Sequence, residues 1–162
     1  QRVGIAGVVQ DISADGHDWI EGLLAIARSG RRRVNRGDLS LGAIGLGGAI
    51  GAAARALVAG RVAAWTSWPA WTGTMLVNVL GCAGIGFAWV WLEARGHPEW
   101  LRALLVTGML GAFTTFSTFG LDAMHLLEER RGGEVVAYVL GSIAIGFAVV
   151  KAAMVAAERL LG

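Results

Sequence analysis

Four long apolar runs limit this chain to a fold that crosses a membrane. They cover residues 41–60, 72–92, 101–127 and 135–157, and a helix of about 20 apolar residues is long enough to span the hydrocarbon core. Hydrophobic residues make up 55% of the chain and charged residues 16%, against roughly 45–50% and 25% in soluble domains. The runs therefore predict an all-α, multi-pass membrane protein with four transmembrane helices.

Composition and motifs argue against most soluble functions. The sequence contains no nucleophile elbow, phosphate-binding loop or dinucleotide fingerprint, and its three histidines, His17, His97 and His125, are scattered. Cys82 is the single cysteine, so an intramolecular disulfide is impossible. The net charge of +2 is too small to suggest nucleic-acid binding. We expect neither an enzyme nor a nucleic-acid-binding protein.

Residues 1–40 differ from the runs that follow them. Acidic residues precede a cluster of arginines at positions 28, 31, 32, 33 and 36, and apolar residues lie between the two charged groups. These apolar residues can form one face of a short amphipathic helix on the membrane surface; a poorly ordered extension is the alternative. We therefore treat 1–40 as an N-terminal extension and 41–162 as the membrane domain.

The third run, 101–127, is too long and too polar for a plain membrane anchor. Its middle holds Gly108, Gly111, Thr114, Thr115, Ser117, Thr118 and Gly120. Glycine weakens a helix by roughly 1 kcal/mol relative to alanine, and Ser and Thr side chains compete for backbone hydrogen bonds. Irregular backbone at membrane depth is tolerated where it is buried in protein or lines a cavity. The run predicts a helix that is broken near the midplane and forms an ion site.

Small and polar residues also mark the first two runs. Gly47 and Gly51 are four apart, a spacing that lets two helices approach closely in lipid; chance is the alternative in a chain with 25 glycines. Arg55 lies deep in its run, so it either faces a vestibule or snorkels to the surface. Asn78 is strongly polar, and it predicts either an interhelical hydrogen bond or a side chain that faces water.

Neutral hydrogen-bond donors lie inside three of the runs. They are Asn78, the 114–118 hydroxyl group, and the pair Tyr138 and Ser142, which share one face of the fourth helix. Asp122 is the only carboxylate within the runs. Neutral donors with a cation near the mouth favour passive movement of an anion. A small proton-coupled exporter of drugs or metabolites, the alternative, more often carries several intramembrane acids or histidines.

Two phenylalanines lie beside the hydroxyl group. Phe116 and Phe119 are three apart and share a helix face, where their positively polarised ring edges can meet an anion, although core packing is the commoner use of such a pair. Four helices are few to enclose a water-filled path, so we expect an oligomer, with a dimer as the simplest.

At these motifs the sequence resembles the CrcB/Fluc fluoride channels, small four-span proteins of the cell membrane. Three blocks carry the resemblance: GGAIGAAAR at 47–55, GTMLVNVLG at 73–81 and GMLGAFTTFSTF at 108–119. A weaker match is the Gly141-Ser142 pair in the last run. The resemblance implies passive export of fluoride, which lowers its cytoplasmic concentration, by a dual-topology antiparallel dimer.

The resemblance also implies a role for individual residues. Phe116 and Phe119 would turn their ring edges toward fluoride, and Asn78 would donate hydrogen bonds to the ion. The remainder of the fluoride pathway would be lined by Thr115, Thr118, Tyr138, Ser142 and Arg55. The backbone carbonyls of Gly111 and Thr114 would hold a structural sodium ion (Na+) at the dimer interface.

The chain departs from the family pattern in two respects. Where the family usually reads TTFSTFS-x-Glu, Gly120 and Asp122 stand here, so the acid is kept but is one methylene shorter. The arginines at 28–36, with Arg95 and Arg102, outnumber those on the opposite side of the membrane. Such a bias fixes orientation, so the expected homodimer has an alternative: a heterodimer with an oppositely oriented homologue.

Overall fold

The computed structural model describes residues 37–65, 68–69 and 71–162. Its elements in chain order are α1 (Gly37–Trp65), α2 (Trp71–Ala94), α3 (Glu99–Arg102), a π-helical segment (Ala103–Leu110), α4 (Gly111–Phe113), α5 (Phe116–Glu128) and α6 (Gly132–Leu161). The predicted amphipathic or poorly ordered extension, with its arginine cluster, lies almost wholly outside the described residues. All site residues belong to the compact unit Leu39–Gly162.

Four stretches of this unit are long and apolar enough to cross a membrane, which confirms the predicted number of spans. They are Leu39–Trp65, Trp71–Ala94, Glu99–Glu128 and Gly132–Leu161, and below they are called the first to fourth spans. Each is longer than the apolar run that predicted it. Hydropathy marks only the part of a helix that suits hydrocarbon, whereas the hydrogen-bonded ladder continues into the polar residues at the run's ends.

The second and fourth spans pack extensively against each other. At Gly86 the two backbones come so close that an added Cβ would lie 2.6 Å from the carbonyl oxygen of Val150. Val77, Leu92 and Tyr138 are the largest fully buried side chains. In lipid, close packing of this kind replaces the hydrophobic effect as the force between helices.

The first span packs against the third through glycine. A Cβ added at Gly47 would overlap the carbonyl oxygen of Leu104, and one added at Gly51 would overlap that of Met109. From the other side, a Cβ on Gly108 would lie 2.7 Å from the carbonyl oxygen of Ile44. The close helix approach that the Gly47/Gly51 spacing predicts is therefore present within one chain.

A short charged turn joins the third span to the fourth. Arg131 donates hydrogen bonds to both carboxylate oxygens of Glu134, at 2.7 and 2.6 Å, and to Glu129 at 2.8 Å. Arg130 has φ 58°, a left-handed conformation that is sterically costly for a residue with a Cβ. The turn therefore holds the second half of the third span close to the start of α6.

Candidate functional site: the interruption of the third span

Two consecutive residues of the third span leave the helical conformation. Thr114 has φ −79° and ψ 156°, and Thr115 has φ −146° and ψ 118°, both extended. The helix before them ends at Phe113 and the next begins at Phe116. This interruption lies in the glycine- and hydroxyl-rich stretch that the sequence singled out.

Asn78 of α2 pairs with the backbone of the interruption on two sides. Its amide nitrogen donates to the carbonyl oxygen of Thr115 at 3.1 Å, and its amide oxygen accepts from the N–H of Thr115 at 2.8 Å. Asn78 thus makes an interhelical hydrogen-bonded pair, one of the two uses that the sequence left open. Because a backbone group without a partner is costly away from water, this pairing stabilises the extended conformation.

The hydroxyl of Thr115 then caps the helix that follows. Its oxygen accepts from the N–H of Thr118 at 3.2 Å, and the Thr115 and Thr118 hydroxyl oxygens lie 3.0 Å apart. Ser117 adds a third hydroxyl, 3.3 Å from that of Thr115. An N-cap hydroxyl of this kind satisfies one of the free N–H groups of the first helical turn. Thr115 therefore pairs with Asn78 through its backbone and with the first turn of α5 through its side chain.

These two pairings release carbonyl oxygens at the interruption. In an uninterrupted α-helix, the N–H of Thr115 would donate to Gly111 and that of Thr118 to Thr114. Here the first N–H is donated to Asn78 and the second to the Thr115 hydroxyl. The carbonyl oxygens of Gly111 and Thr114 consequently lose their usual helical donors.

Aromatic rings extend from the interruption to the fourth span. The ring centroids of Phe116 and Phe119 are 5.7 Å apart, and those of Phe119 and Tyr138 are 4.9 Å apart. Trp71 also packs on Tyr138, with their ring centroids 5.1 Å apart. Phe116 is 84% exposed, whereas Tyr138 is 1% exposed, so the row leads from an open surface to the buried core.

Trp71 and Asp122 both contact Tyr138, and the sequence motifs predict neither contact. The Tyr138 hydroxyl donates to a carboxylate oxygen of Asp122 at a long 3.4 Å. Ser142, one turn further along α6, has a buried hydroxyl without a hydrogen-bond partner among the described residues. The Trp71–Tyr138 contact joins positions 67 residues apart, for which a single sequence carries no local signal.

The structure does not bring all the predicted site residues together. Asn78, Thr115 and Thr118 form one hydrogen-bonded group, and Phe116, Phe119 and Tyr138 form the adjoining row of rings. In the described part of the chain, no hydrogen bond, ion pair or ring contact joins Arg55 to either group. Arg55 is partly exposed on α1.

A cavity of about 330 Å³ opens beside the interruption. Its wall is shared by α2 and the third span, and it includes Asn78, Gly111, Thr114, Thr115 and Phe116. The remaining lining is mostly apolar, with Cys82, Ile85 and Leu110 among its residues. Gly111 and Thr114, whose carbonyl oxygens have lost their helical donors, and the exposed Phe116 therefore border the same cavity.

Comparison with known proteins identifies the family to which the chain is similar. The family model described as CrcB-like protein, Camphor Resistance, matches residues 42–154. A relative from Nitratidesulfovibrio vulgaris is 45% identical over 109 residues, which cover 65% of this chain and 86% of the relative. Relatives from Paracoccus denitrificans (42% identical; 68% and 88% covered) and Phenylobacterium zucineum (40%; 72% and 93%) are similar in extent.

All three relatives carry the name fluoride-specific ion channel. The matched region contains all four apolar runs except their outermost residues, and it includes the interruption, Asn78 and the row of rings. The resemblance that the sequence blocks predict is thereby confirmed. The chain belongs to the CrcB-like protein family.

Proposed function

We propose that this chain is a fluoride-selective, passive ion channel of the cell membrane. The observation that carries the proposal is the Asn78–Thr115 pairing, which holds an interruption of the third span open beside the rings of Phe116 and Phe119. Hydrogen-bond donors and ring edges, with no cation in the row, suit a small anion that has lost its water. The names of the relatives identify fluoride as that anion.

In the proposed pathway, the polar groups of the site replace the water around fluoride. Asn78 has two N–H donors and gives one to Thr115, so the other is available to the ion. Past the rings, the buried Ser142 hydroxyl is a second donor without a partner in the described residues. Thr118 and Tyr138 continue the polar lining, and Arg55 draws anions toward the mouth.

The proposed channel is an antiparallel dimer with the interruption at its midplane. Phe116 is 84% exposed in a single chain and borders the open cavity, so one chain cannot enclose an ion there. A second, inverted copy that covers this face would complete the walls from identical parts, as inverted repeats do in transporters. In the homodimeric form, two copies of this chain insert into the membrane with opposite orientations. In the heterodimeric form, an oppositely oriented homologue replaces one of the two copies.

The backbone oxygen atoms at the interruption fit the proposed structural sodium ion as ligands. The carbonyl oxygens of Gly111 and Thr114 have lost their helical donors to the Asn78 and Thr115 pairings, and carbonyl oxygens are suitable ligands for a hard cation. No three His, Cys, Asp or Glu side chains cluster in the described residues, so backbone oxygens are the candidate ligands. Replacing sodium by N-methylglucamine should lower the thermal midpoint of unfolding, and an unchanged midpoint would count against this ion.

No observation favours the alternative, a proton-coupled exporter. Asp122 is the one carboxylate in the middle of a described span, and it is paired with Tyr138. Coupled transporters rely on ionisable residues that take up and release protons within the membrane. The relatives' names describe channels.

Fluoride efflux from vesicles distinguishes the two functions. Purified protein is reconstituted into vesicles loaded with potassium fluoride, and efflux is followed with a fluoride electrode after addition of valinomycin. We expect rapid efflux at equal internal and external pH, with no change when an inward or outward proton gradient is imposed. Efflux that occurs only with a proton gradient would contradict the channel and support the exporter.

A further inference from the structure

The π-helical segment Ala103–Leu110 is the most unusual regular element of the chain. π-helical hydrogen bonds run from residue i to i+5, and such helices are rare and mostly limited to a single turn. Eight residues adopt this form here, and the N–H of Gly111 donates to the carbonyl oxygen of Val106, five residues earlier. A form so seldom stable in isolation must be stabilised by its surroundings.

The surroundings that touch the backbone of this segment are the glycines of α1. The carbonyl oxygens of Leu104 and Met109 lie where Cβ atoms of Gly47 and Gly51 would stand. Gly108, within the segment, belongs to the same contact, since a Cβ added to it would lie 3.1 Å from the Cα of Gly47. The contact is therefore between two backbones.

The same segment sets the position of everything that follows it. A π-helical turn contains about one residue more than an α-helical turn, and one residue corresponds to about 100° of rotation and 1.5 Å of rise in an α-helix. If the segment relaxed to an α-helix, Thr115 would turn away from Asn78, to which it is bonded at 2.8 and 3.1 Å.

We propose that Gly47 and Gly51 are positioning residues: their bare backbone holds the 103–110 segment in its π-helical register and thereby places Thr115 and Phe116. This inference deepens the proposed channel by naming residues that position its site from another span. It does not depend on fluoride, because the register is a property of the protein alone and is measurable without flux.

The chain offers matched controls on both sides. Gly48 lies on α1 next to Gly47 but has no atom within 4 Å of an added Cβ, so Gly48→Ala changes helix propensity without contact. Gly86→Ala creates an overlap like that of Gly108→Ala, 2.6 against 2.7 Å from a carbonyl oxygen, but between the second and fourth spans. A purely packing role would make Gly108→Ala and Gly86→Ala behave alike.

The test is a distance measurement between α2 and α5. Spin labels are attached at cysteines replacing Leu76 and Leu121, which are 40% and 55% exposed, in a Cys82→Ala background and diluted with unlabelled copies so that distances arise within one chain. A rotation of about 100° moves a Cα atom by roughly 3.5 Å on a helix of 2.3 Å radius. We expect a shift of that order in Gly51→Ala and none in Gly48→Ala or Gly86→Ala.

Gly108→Ala provides a second variant on the opposite side of the same contact, where the overlap is milder, in case Gly51→Ala does not yield folded protein. It should give the same shift. An unchanged distance in either folded variant, or an equal shift in Gly86→Ala, would overturn the proposal. If the distance shifts as expected while wild-type protein carries no fluoride, the positioning role stands and the proposed function fails.

Discussion

The two halves of the third span are held in place by different kinds of contact. The first half, the π-helical segment Ala103–Leu110, lies with its backbone directly on Gly47 and Gly51 of α1. The second half begins at the Thr115 cap and is tied to α2 by two hydrogen bonds, one donated by Asn78 to Thr115 and one donated by Thr115 to Asn78. One half depends on the absence of side-chain atoms, and the other depends on specific polar atoms.

The difference predicts how each half responds to substitution. The glycine contact tolerates no added atom, yet it offers no group that can bind an ion. The Asn78–Thr115 pair has room around it, since both residues border the cavity, but no apolar side chain can replace its hydrogen bonds. Steric substitutions should therefore affect the first half, and polar-to-apolar substitutions the second.

The largest effect is expected from Asn78→Ala. It removes both hydrogen bonds to Thr115 and the donor proposed to meet fluoride, and a hydrogen bond to a charged group contributes about 1.5–3 kcal/mol. Fluoride efflux should fall by roughly tenfold to a hundredfold. Leu80→Ala, at an exposed position of the same helix, is the control. Normal efflux in Asn78→Ala would limit this residue to a structural role.

A smaller loss is expected from Phe116→Ile and Phe119→Ile. Each removes a ring from the row but keeps a large apolar side chain, and contacts to a ring's polarised edge or face contribute about 0.5–1.5 kcal/mol. Efflux should fall by up to about tenfold, with the oligomer intact by size-exclusion chromatography. Phe147→Ile, 75% exposed on α6, should leave efflux unchanged. If all three variants conduct normally, the ring row is not the pathway.

Thr115→Val compares the two halves directly. It keeps the shape of the side chain but removes the cap on Thr118, and loss of an N-cap typically costs about 1 kcal/mol. The thermal midpoint of unfolding in detergent should fall by a few degrees. The same substitution in the first half, Thr107→Val at an exposed position, should have little effect; an equal fall in both would remove the distinction.

The smallest effect is expected where the second half ends. Arg130 has φ 58°, so Arg130→Gly relieves steric strain and should stabilise the turn by less than about 1 kcal/mol. Gly96 has φ 57° in the turn that follows α2, and Gly96→Ala should destabilise by a similar amount. Thermal midpoints that move in the same direction for both variants would contradict this reading of the turns.

The membrane spans and the position of the interruption could be predicted from the sequence because both follow from local composition. Apolar runs give the spans, and the coincidence of Gly111 with Thr114 and Thr115 marks a weak point in the third helix. The helix ends were less predictable, since α1 continues to Trp65, five residues beyond its apolar run.

The partners of the site could not be predicted in the same way. Asn78 and Thr115 are 37 residues apart, and their pairing depends on how two helices pack rather than on any local pattern. The π-helical register is also a tertiary property, because Ala103–Leu110 has an ordinary apolar sequence and contacts α1 only after the chain folds. Trp71, which packs on Tyr138, is missed for the same reason.

Selectivity is the most direct test of the proposed site. Vesicles that contain the wild-type protein and equal concentrations of potassium fluoride and potassium chloride are diluted into a buffer free of both halides, valinomycin is added so that potassium can leave with the anions, and both halides are followed with selective electrodes in the same sample. Donors and ring edges spaced for a small, dehydrated anion should release fluoride rapidly while chloride is retained. Release of the two ions at equal rates would contradict a fluoride pathway through the interruption.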